Sequence, residues 1–395
     1  MFWEKEGKLI YSYDGETVCI EAWGKDALRV RATKNRSFTG RDWALEAKDA
    51  HAGEVEIFED PSAKGGAFAN MYEGTDTSYG KITNGKLHAV IDSGSVITFY
   101  HEDGRVLLKE HFRRLRDEES MPLNIMGREY SNGVGDNFRI VTRFVARKGE
   151  KIFGMGQYQQ HELDLKGCML ELAQRNSQVS VPFYLSSIGY GFLWNNPGVG
   201  QVMFANNGTE WVTESGKEID YLVIAGDTPA EIEENYMTLT GKPPMMPEYG
   251  MGFWQCKLRY WNQEQLLSVA RKYKELGIPL DVIIVDFFHW TKQGEFKFDP
   301  KYWPDVPGMC RELKEMGIQV VVSVWPTVDI YSENFEEMKE KGYLVRTEHG
   351  VPLTMLCSGN EVFFDATNPD ARTYVWEKIK KNYYDQGAKL FWLDV

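Results

Sequence analysis

The sequence of 395 residues predicts a multidomain chain, an antiparallel β-sandwich followed by the first half of a (β/α)8 barrel. Three observations support this prediction. Residues up to about 225 form short runs of alternating apolar and polar residues, separated by turn dipeptides, with no long amphipathic helix. A proline-rich stretch, 243–247, indicates a linker. Beyond it, apolar strands and helices alternate four times, so we place the domains at residues 1–243 and 244–395.

Hairpin turns mark the strands of the predicted sandwich. Leu28 and Val30 alternate with arginines, which is the pattern of a half-buried strand. The dipeptides Asp14-Gly15, Asn84-Gly85 and Asp103-Gly104 lie between such runs. These residue types accept the positive φ angles of tight hairpins, so each dipeptide predicts a turn between antiparallel strands.

A polar stretch within the first domain differs from the strands around it. It contains Gly154 and Gly156 and, further on, Arg175 and Asn176. No third glycine opens a helix after the Gly-x-Gly pair, which argues against a dinucleotide site. A long loop on a rigid sandwich is a common place for binding residues, and a surface loop without a role is the alternative.

A helix with clear end signals closes the first domain. Thr228 is predicted to be its N-cap, Pro229 suits the first helical position, and Glu231 completes a capping box. Gly241 and the prolines that follow end the helix, because neither residue type continues a helical backbone well.

The second domain has the pattern of a parallel sheet with helical crossovers. The predicted strands are Met251–Cys256, Leu280–Asp286, Ile318–Val324 and Ala388–Asp394. The predicted helices begin at Asn262, near Met309, at Ser332 and at Asn368-Pro369, and end at Gly277, Gly317, Gly342 and Gly387. A complete barrel needs roughly 250 residues and roughly 150 follow Pro243, so half a barrel from a truncated chain is expected. An open doubly wound sheet is the other parallel architecture.

Composition excludes several classes of partner. The formal charge of −13 argues against nucleic acid and anionic membranes. No apolar run of 18 residues and no signal peptide is seen, and the five cysteines are scattered without metal or disulfide spacing. These features predict a cytoplasmic protein without a cysteine metal site, and self-association is left open. The 13% aromatic content suits either stacking on sugar rings or a bulky core.

Two carboxylates end predicted strands of the second domain. Asp286 follows the second strand and Asp394 the fourth, and barrel enzymes keep their chemistry at this edge. The aromatic residues near them are Phe287, Phe288, Trp290, Trp325 and Trp392. Paired carboxylates in an aromatic cleft suit glycoside cleavage. The alternative is that each aspartate caps a following helix or pairs with an arginine.

Several motifs in order carry a resemblance to a known family. They are Val282–Trp290, Phe298-Asp299-Pro300, Trp303-Pro304-Asp305, Val322–Thr327, Phe364–Pro369 and Phe391–Asp394. Together they resemble glycoside hydrolase family 31, and the segments VDFFHW and VSVWPTVD resemble its bacterial α-xylosidase branch. The runs FGMGQYQ, QRN and VPFYLSSIGYG fit the galactose-mutarotase-like sandwich of that family. The resemblance covers nearly the whole chain.

The resemblance implies a retaining α-glycosidase that needs no cofactor. Asp394 would be the nucleophile, and Asp286 would bind hydroxyls of the non-reducing-end sugar. Trp325 and Trp392 would form walls of that subsite, with barrel packing as the alternative for each. His289 would be a hydroxyl ligand or else a loop histidine satisfied by its neighbours.

Two further expectations follow from the resemblance. The loop around Arg175 and Asn176 would line the next subsite. The bulk of Phe287, Phe288 or Trp325 would exclude the hydroxymethyl group that distinguishes glucose from xylose. The family's acid/base aspartate lies on a later barrel segment that this chain does not contain, so the 395-residue chain is expected to be inactive by itself.

The predicted function of the full-length protein is release of α-linked xylose from the non-reducing end of oligosaccharides. An α-glucosidase of the same family is the nearest alternative, because one hydroxymethyl group gives only about 1–3 kcal/mol of discrimination. A non-catalytic carbohydrate-binding protein is the alternative from another class. A phosphate-binding barrel enzyme is poorly supported, since strands seven and eight would carry that site.

Overall fold

The computed structural model describes residues 1–46, 49–61, 77–111, 125–347, 349–355 and 360–395. The chain forms two compact units, Met1–Pro243 and Pro244–Val395. Within the described ranges, no helix has both the length and the apolar character needed to cross a membrane. Four cysteines are free thiols, and Cys357 lies outside the described residues.

The first unit consists of antiparallel strands in three sheets. The strands are β1 (Phe2–Lys5), β2 (Lys8–Tyr13), β3 (Glu16–Trp23), β4 (Ala27–Thr33), β5 (Ala50–His51), β6 (Glu54–Phe58), β7 (Tyr79–Asn84), β8 (Leu87–Asp92), β9 (Ile97–His101), β10 (Val106–Lys109), β11 (Arg128–Asn132), β12 (Phe138–Phe144), β13 (Ile152–Gln157), β14 (Met169–Leu172), β15 (Val179–Ser186), β16 (Tyr190–Trp194), β17 (Gly200–Phe204), β18 (Thr209–Gly216) and β19 (Ile219–Ala225). The largest sheet has the order β1-β2-β3-β4-β19-β16-β15-β13, and β5 pairs with β3. The other two have the orders β10-β9-β8-β7-β6 and β11-β12-β18-β17-β14.

One apolar core joins the three sheets into a sandwich. Leu9 of the largest sheet, Phe99 of the second and Trp211 of the third are all members and are fully buried. Alternation along each strand directs every second side chain toward this core. The sandwich architecture expected from the alternating pattern is therefore present.

The central strand β4 is buried on both faces, which corrects the half-buried strand expected from its sequence. Leu28 and Val30 face the core, but Arg29 on the opposite face is also 0% exposed. The Arg29 guanidinium donates to both carboxylate oxygens of Asp220, at 3.0 and 2.6 Å. An ion pair with hydrogen bonds on both oxygens compensates the loss of water, which the sequence pattern could not reveal.

The predicted hairpin turns are present, one of them with a shifted register. Asp14 and Gly15 have φ angles of 49° and 73° between β2 and β3. Asn84 instead pairs with Leu87, so the second turn consists of Gly85 and Lys86. The Asn84 side chain has other partners, since its amide donates to the carbonyl oxygens of Gly24 and of Ala27, the first residue of β4.

Helix α1 (Pro229–Thr240) ends the first unit and covers the outer face of the largest sheet. Thr228 is the N-cap, as predicted, and its hydroxyl accepts from the Glu231 amide at 3.2 Å. The Glu231 carboxylate accepts from the Asp227 amide at 3.0 Å, one residue before the cap. The capping box is therefore displaced by one residue.

The second unit contains a parallel sheet with helical crossovers. Its strands are β20 (Trp254–Gln255), β21 (Val282–Val285), β22 (Gln319–Val324), β23 (Thr327–Asp329), β24 (Glu361–Phe363) and β25 (Leu390–Leu393). Its helices are α2 (Gln263–Glu275), α3 (Val306–Glu315), α4 (Phe335–Glu340) and α5 (Pro369–Asn382). The order β20-β21-β22-β25 is parallel throughout, as predicted, and β23 and β24 form a separate antiparallel pair.

Several boundaries in the second unit differ from the predicted ones. A 3₁₀ turn at Glu248–Met251 shortens the first strand to two residues. Helix α4 has Asn334 rather than Ser332 at its N-cap, because the Ser332 hydroxyl accepts from the Asn334 amide and holds the chain in a turn. Asn262 and Asn368 cap α2 and α5 as predicted.

The last strand, β25, is more exposed than its apolar sequence predicts. Leu390 and Phe391 are half-buried, whereas Trp392 and Leu393 are 41% and 78% exposed. β25 is the edge strand of the four-stranded sheet and pairs with β22 alone. An apolar run of this kind is typical of a buried parallel strand, and the exposure of Trp392 and Leu393 contradicts that expectation.

Candidate active site

Two carboxylates lie on one face of the parallel sheet. Ile284 of β21, Val321 of β22 and Leu390 of β25 share a small apolar cluster on this face. The side chains between them in sequence pack with the helices on the other face. Because strand side chains alternate, Asp286 and Asp394 continue the face of Ile284 and Leu390.

Both carboxylates stand at the carboxyl ends of their strands. The Asp394 amide donates to the Val324 carbonyl at 3.1 Å, so the parallel ladder continues one residue beyond β25. β21 and β25 both neighbour β22. Neighbouring strands are about 4.8 Å apart, and the register offsets Asp394 from Asp286 by two residues along the strands, so their backbones are roughly 12 Å apart. The structure thus brings together the two aspartates singled out from the sequence.

Asp286 is held by hydrogen bonds at both carboxylate oxygens. It is 7% exposed, and its Oδ1 accepts from the Phe287 amide at 2.7 Å. Its Oδ2 accepts from the Cys256 thiol at 3.3 Å. Desolvation and this carboxylate raise the pKa of Cys256 to about 12, so the thiol stays protonated and donates. Asp286 is therefore fixed in orientation before any ligand binds.

His289 is buried and has a partner at each ring nitrogen. It is 2% exposed; Nδ1 lies 2.9 Å from the Asp286 carbonyl, and Nε2 lies 2.9 Å from the Tyr383 hydroxyl. A carbonyl only accepts, so Nδ1 carries the proton and Nε2 accepts from Tyr383. Burial lowers the pKa of His289 to about 4, so the ring is neutral. This geometry favours the satisfied loop histidine over the sugar ligand that was the other expectation.

Four aromatic rings form a group beside Asp286, called here the aromatic group: Phe287, Phe288, Trp290 and Trp325. Ring centroids of Phe287 and Trp325 lie 5.4 Å apart, and Trp290 is 6.0 Å from Trp325. Phe288 contacts three of its neighbours in the group and remains 52% exposed. Its φ of 60° is unusual for a bulky residue and indicates a constrained loop. Phe287 and Trp325 thus lie against each other, and their part in a sugar subsite stays a prediction.

Trp392 lies apart from the aromatic group in its contacts. Within the described ranges it makes none of the ring contacts that join those four residues. It lines instead a cavity of about 350 Å³ over the same sheet face, together with Tyr249, Trp254 and Leu390. Trp392 pairs with Ser323 across the ladder, so it lies on the strand next to that of Trp325 and on the same sheet face. Their role as two walls of one subsite stays a prediction.

Arg175 belongs to the first unit. Its guanidinium makes a bidentate ion pair with Glu171, with distances of 3.0 and 2.6 Å, and its side chain is 58% exposed. An isolated β-bridge joins Arg175 to Gln178. The arginine is thus presented at the surface by a short turn, and its role in a subsite stays a prediction.

Sequence reasoning missed several residues that shape the site. Cys256 and Tyr383 contact Asp286 and His289 from other parts of the chain, and no local signal marks them. Arg259 lies 5.3 Å above the Phe288 ring and 3.8 Å above the Trp261 ring, extending the aromatic group with a cation. In the part of the chain that the structure describes, no three His, Cys, Asp or Glu side chains are grouped as metal ligands.

Comparisons with known proteins cover both units. Residues 243–395 match the glycosyl hydrolases family 31 TIM-barrel domain, and residues 17–202 match the glycosyl hydrolase 31 N-terminal galactose mutarotase-like domain. The chain is 44% identical to an uncharacterized family 31 glucosidase, ORF2, of Pseudescherichia vulneris, over 99% of this chain and 73% of the relative. It is 31% identical to Alpha-xylosidase A of Aspergillus niger, over 96% of this chain and 52% of that protein.

A solved structure matches the chain along its whole length. The crystal structure of an alpha-xylosidase from a soil metagenome, complexed with xylose, superposes with a TM-score of 0.88 at 46% identity. The alignment covers 100% of this chain and 57% of that one, so the chain spans little more than half of this relative. The predicted fold class, a mutarotase-like sandwich followed by the start of a barrel, is confirmed. With both domain models matched and these relatives aligned along nearly its whole length, the chain belongs to glycoside hydrolase family 31.

Proposed function

We propose that the enzyme containing these residues hydrolyses α-linked xylose from the non-reducing end of oligosaccharides, with retention of configuration. The observation that carries the proposal is the placement of Asp286 and Asp394 on one face of the sheet, at the carboxyl ends of their strands. The relatives support the sugar: one is named Alpha-xylosidase A, and a xylosidase with bound xylose is 46% identical.

In this proposal Asp394 is the nucleophile. Its carboxylate attacks the anomeric carbon, the bond to the leaving oxygen breaks, and a covalent glycosyl–enzyme forms that water later hydrolyses. Asp394 is half-buried, and its Oδ1 accepts from the Val395 amide at 2.9 Å. The second oxygen is then the better attacking atom. The proton for the leaving group comes from a general acid that we assign to no residue of this chain.

Asp286 binds hydroxyl groups of the sugar in this proposal. Each of its oxygens already accepts one hydrogen bond, and an ionised carboxylate oxygen has a second lone pair to offer. A carboxylate that two hydrogen bonds already hold in place can orient a polyol without losing rotational freedom of its own side chain on binding. His289 acts through Asp286 and Tyr383 as a positioning residue, since both of its nitrogens are engaged.

The test of the nucleophile uses an activated sugar. In 5-fluoro-α-xylosyl fluoride the leaving fluoride needs no protonation, and the ring fluorine slows hydrolysis, so a covalent intermediate accumulates. Peptide mapping by mass spectrometry is expected to find the xylosyl label on Asp394, and Asp394→Asn is expected to remain unlabelled. Label on another carboxylate, or equal labelling of the variant, would overturn the assignment.

An α-glucosidase is the second candidate, favoured by the name of the family 31 glucosidase that is 44% identical. The bulk of Phe287, half-buried against Trp325, favours the smaller sugar because xylose lacks the hydroxymethyl group. We expect kcat/KM to be higher on an aryl α-xyloside than on the α-glucoside. Phe287→Ala is expected to narrow that ratio by roughly 10-fold, as for one group of this size. An unchanged ratio would remove Phe287 from the specificity argument.

The cellular location is also a proposal. Cys19, Cys168, Cys256 and Cys310 are free thiols, which suits a reducing compartment. We infer that the enzyme is cytoplasmic and hydrolyses oligosaccharides that have already been imported into the cell. Fractionation with a cytoplasmic marker tests this location.

A further inference from the structure

A small cavity lies against two members of the aromatic group, Trp290 and Trp325. It is lined by Trp290, Gln293, Phe296, Ser323, Trp325 and Tyr383. The space available to the centre of a water molecule is about 10 Å³. A single water needs roughly 10–15 Å³ on this measure, so the cavity has the size for one water and nothing larger.

Three residues that line this cavity each carry a buried polar atom without a hydrogen-bond partner among the described residues. The atoms are Gln293 Oε1, Ser323 Oγ and Trp325 Nε1. Gln293 is 4% exposed and Ser323 is 0% exposed, so bulk water does not reach them. Buried polar groups are nearly always hydrogen-bonded in native proteins. Three such atoms on residues that line one water-sized space point to a common partner.

The orientation of the Gln293 amide is fixed by its other neighbours. The Thr327 hydroxyl donates to the Glu361 carboxylate at 2.9 Å, so the oxygen of Thr327 is left to accept. Gln293 Nε2 is the donor that it accepts from. The acceptor Oε1 is therefore the amide atom that Thr327 does not bind. This assignment of oxygen and nitrogen comes from the hydrogen-bond network.

We infer that the cavity holds one structural water molecule bound to Gln293, Ser323 and Trp325. The water accepts from the indole Nε1–H of Trp325, donates to Gln293 Oε1, and makes its third hydrogen bond with the Ser323 hydroxyl. A cation would face the indole donor and an anion would face the amide oxygen. Water alone among common small ligands satisfies a donor and an acceptor together.

This water is a positioning element for the wall of the proposed sugar site. It connects Trp325 to a buried chain of hydrogen bonds that runs through Gln293 and Thr327 to Glu361. The ring of Trp325 is thereby held beside Phe287, at 5.4 Å between centroids. The water itself rests only on the cavity and its polar atoms, and so stands or falls independently of the reaction proposed above.

The first test is a crystal structure of the 395-residue chain at a resolution that shows ordered solvent. One peak is expected in the cavity, within hydrogen-bonding distance of Gln293 Oε1, Ser323 Oγ and Trp325 Nε1. A cavity without density, in a map where neighbouring buried waters are visible, would overturn the inference. Density bonded to only one of the three atoms would also do so.

The second test uses the sign of a stability change. With the water present, Ser323→Ala removes a hydrogen bond, and the unfolding equilibrium constant is expected to rise roughly 2- to 10-fold. With a dry cavity, the same change would delete an unsatisfied buried hydroxyl and the protein would become more stable. Trp325→Phe is the matched second variant, because it removes the other donor while keeping an aromatic ring. Urea unfolding measures the free energy of unfolding of both variants and of the parent. A higher free energy of unfolding in Ser323→Ala than in the parent would refute the bound water.

Discussion

Acidification is expected to destabilise the second unit through His289. The pKa of this histidine is about 4 in the folded protein, against an ordinary value of 6.5, because burial disfavours the charged ring. Between these two values the unfolded chain binds the proton and the folded chain does not. Stability is therefore complete above pH 6.5, falls as the pH drops toward 4, and is not regained below it.

The magnitude follows from the two pKa values. At about pH 5 the unfolded histidine is almost fully protonated and the folded one mostly neutral, which costs about 2 kcal/mol relative to about pH 7.5. The limiting loss below the folded pKa is about 3 kcal/mol. A loss of this size is a large fraction of the stability of a typical domain.

The matched control is His289→Asn, whose side-chain amide keeps a donor for the Asp286 carbonyl but does not titrate. We expect this variant to be less stable than the parent at neutral pH, because the Tyr383 hydroxyl loses its acceptor. Between about pH 7.5 and about pH 5, the free energy of unfolding of this variant should fall by about 2 kcal/mol less than that of the parent.

Urea unfolding at the two pH values, followed by tryptophan fluorescence, measures the difference. NMR of the ¹⁵N-labelled imidazole gives the pKa of His289 and its tautomer directly. A His289 pKa near 6.5, or equal pH dependence in the parent and His289→Asn, would refute the reasoning.

Two further predictions concern buried charge and backbone strain. Asp220→Asn leaves the Arg29 guanidinium buried without its main counter-charge and is expected to cost about 3–5 kcal/mol in urea unfolding. Asp42→Asn, which removes the partly exposed partner of the same guanidinium, should cost clearly less, and equal losses would contradict this account. Phe288→Gly and Phe288→Ala lose the same exposed ring, but only glycine accepts the φ of 60° without strain. The free energy of unfolding of the glycine variant should therefore be about 1 kcal/mol higher than that of the alanine variant. The reverse order would show that the loop relaxes and stores no strain at this position.

The regular elements were predictable because their signals are local. Asn262 and Asn368 cap helices as expected, since a cap depends on the hydrogen bond that its side chain accepts from a backbone amide within three residues. The burial of Arg29 was not predictable, because its partner Asp220 lies 191 residues away. The exposure of β25 likewise depends on its position at the edge of the sheet, and an apolar run looks the same at the edge and at the centre.

The site shows the same division between local and distant information. Alternation and the parallel topology sufficed to predict that Asp286 and Asp394 share a strand edge. The sequence left two interpretations of His289, and the structure favours one through Tyr383, which is 94 residues away. The Cys256 thiol, 30 residues from Asp286, could not be anticipated either, since neither residue is unusual in its own neighbourhood.

The contacts of the two carboxylates also explain why they suit different tasks. Asp286 is 7% exposed and accepts a hydrogen bond at each oxygen, so its charge is delocalised over fixed donors and its orientation is set. Such a group is a poor nucleophile but a good anchor for sugar hydroxyls, because it keeps one lone pair free on each oxygen. Asp394 is less buried and has a single backbone donor, on Oδ1, which leaves Oδ2 the less stabilised atom. A carboxylate oxygen with fewer donors has more electron density to offer to an anomeric carbon. These hydrogen bonds support our proposal that Asp394 attacks the anomeric carbon and that Asp286 binds the sugar.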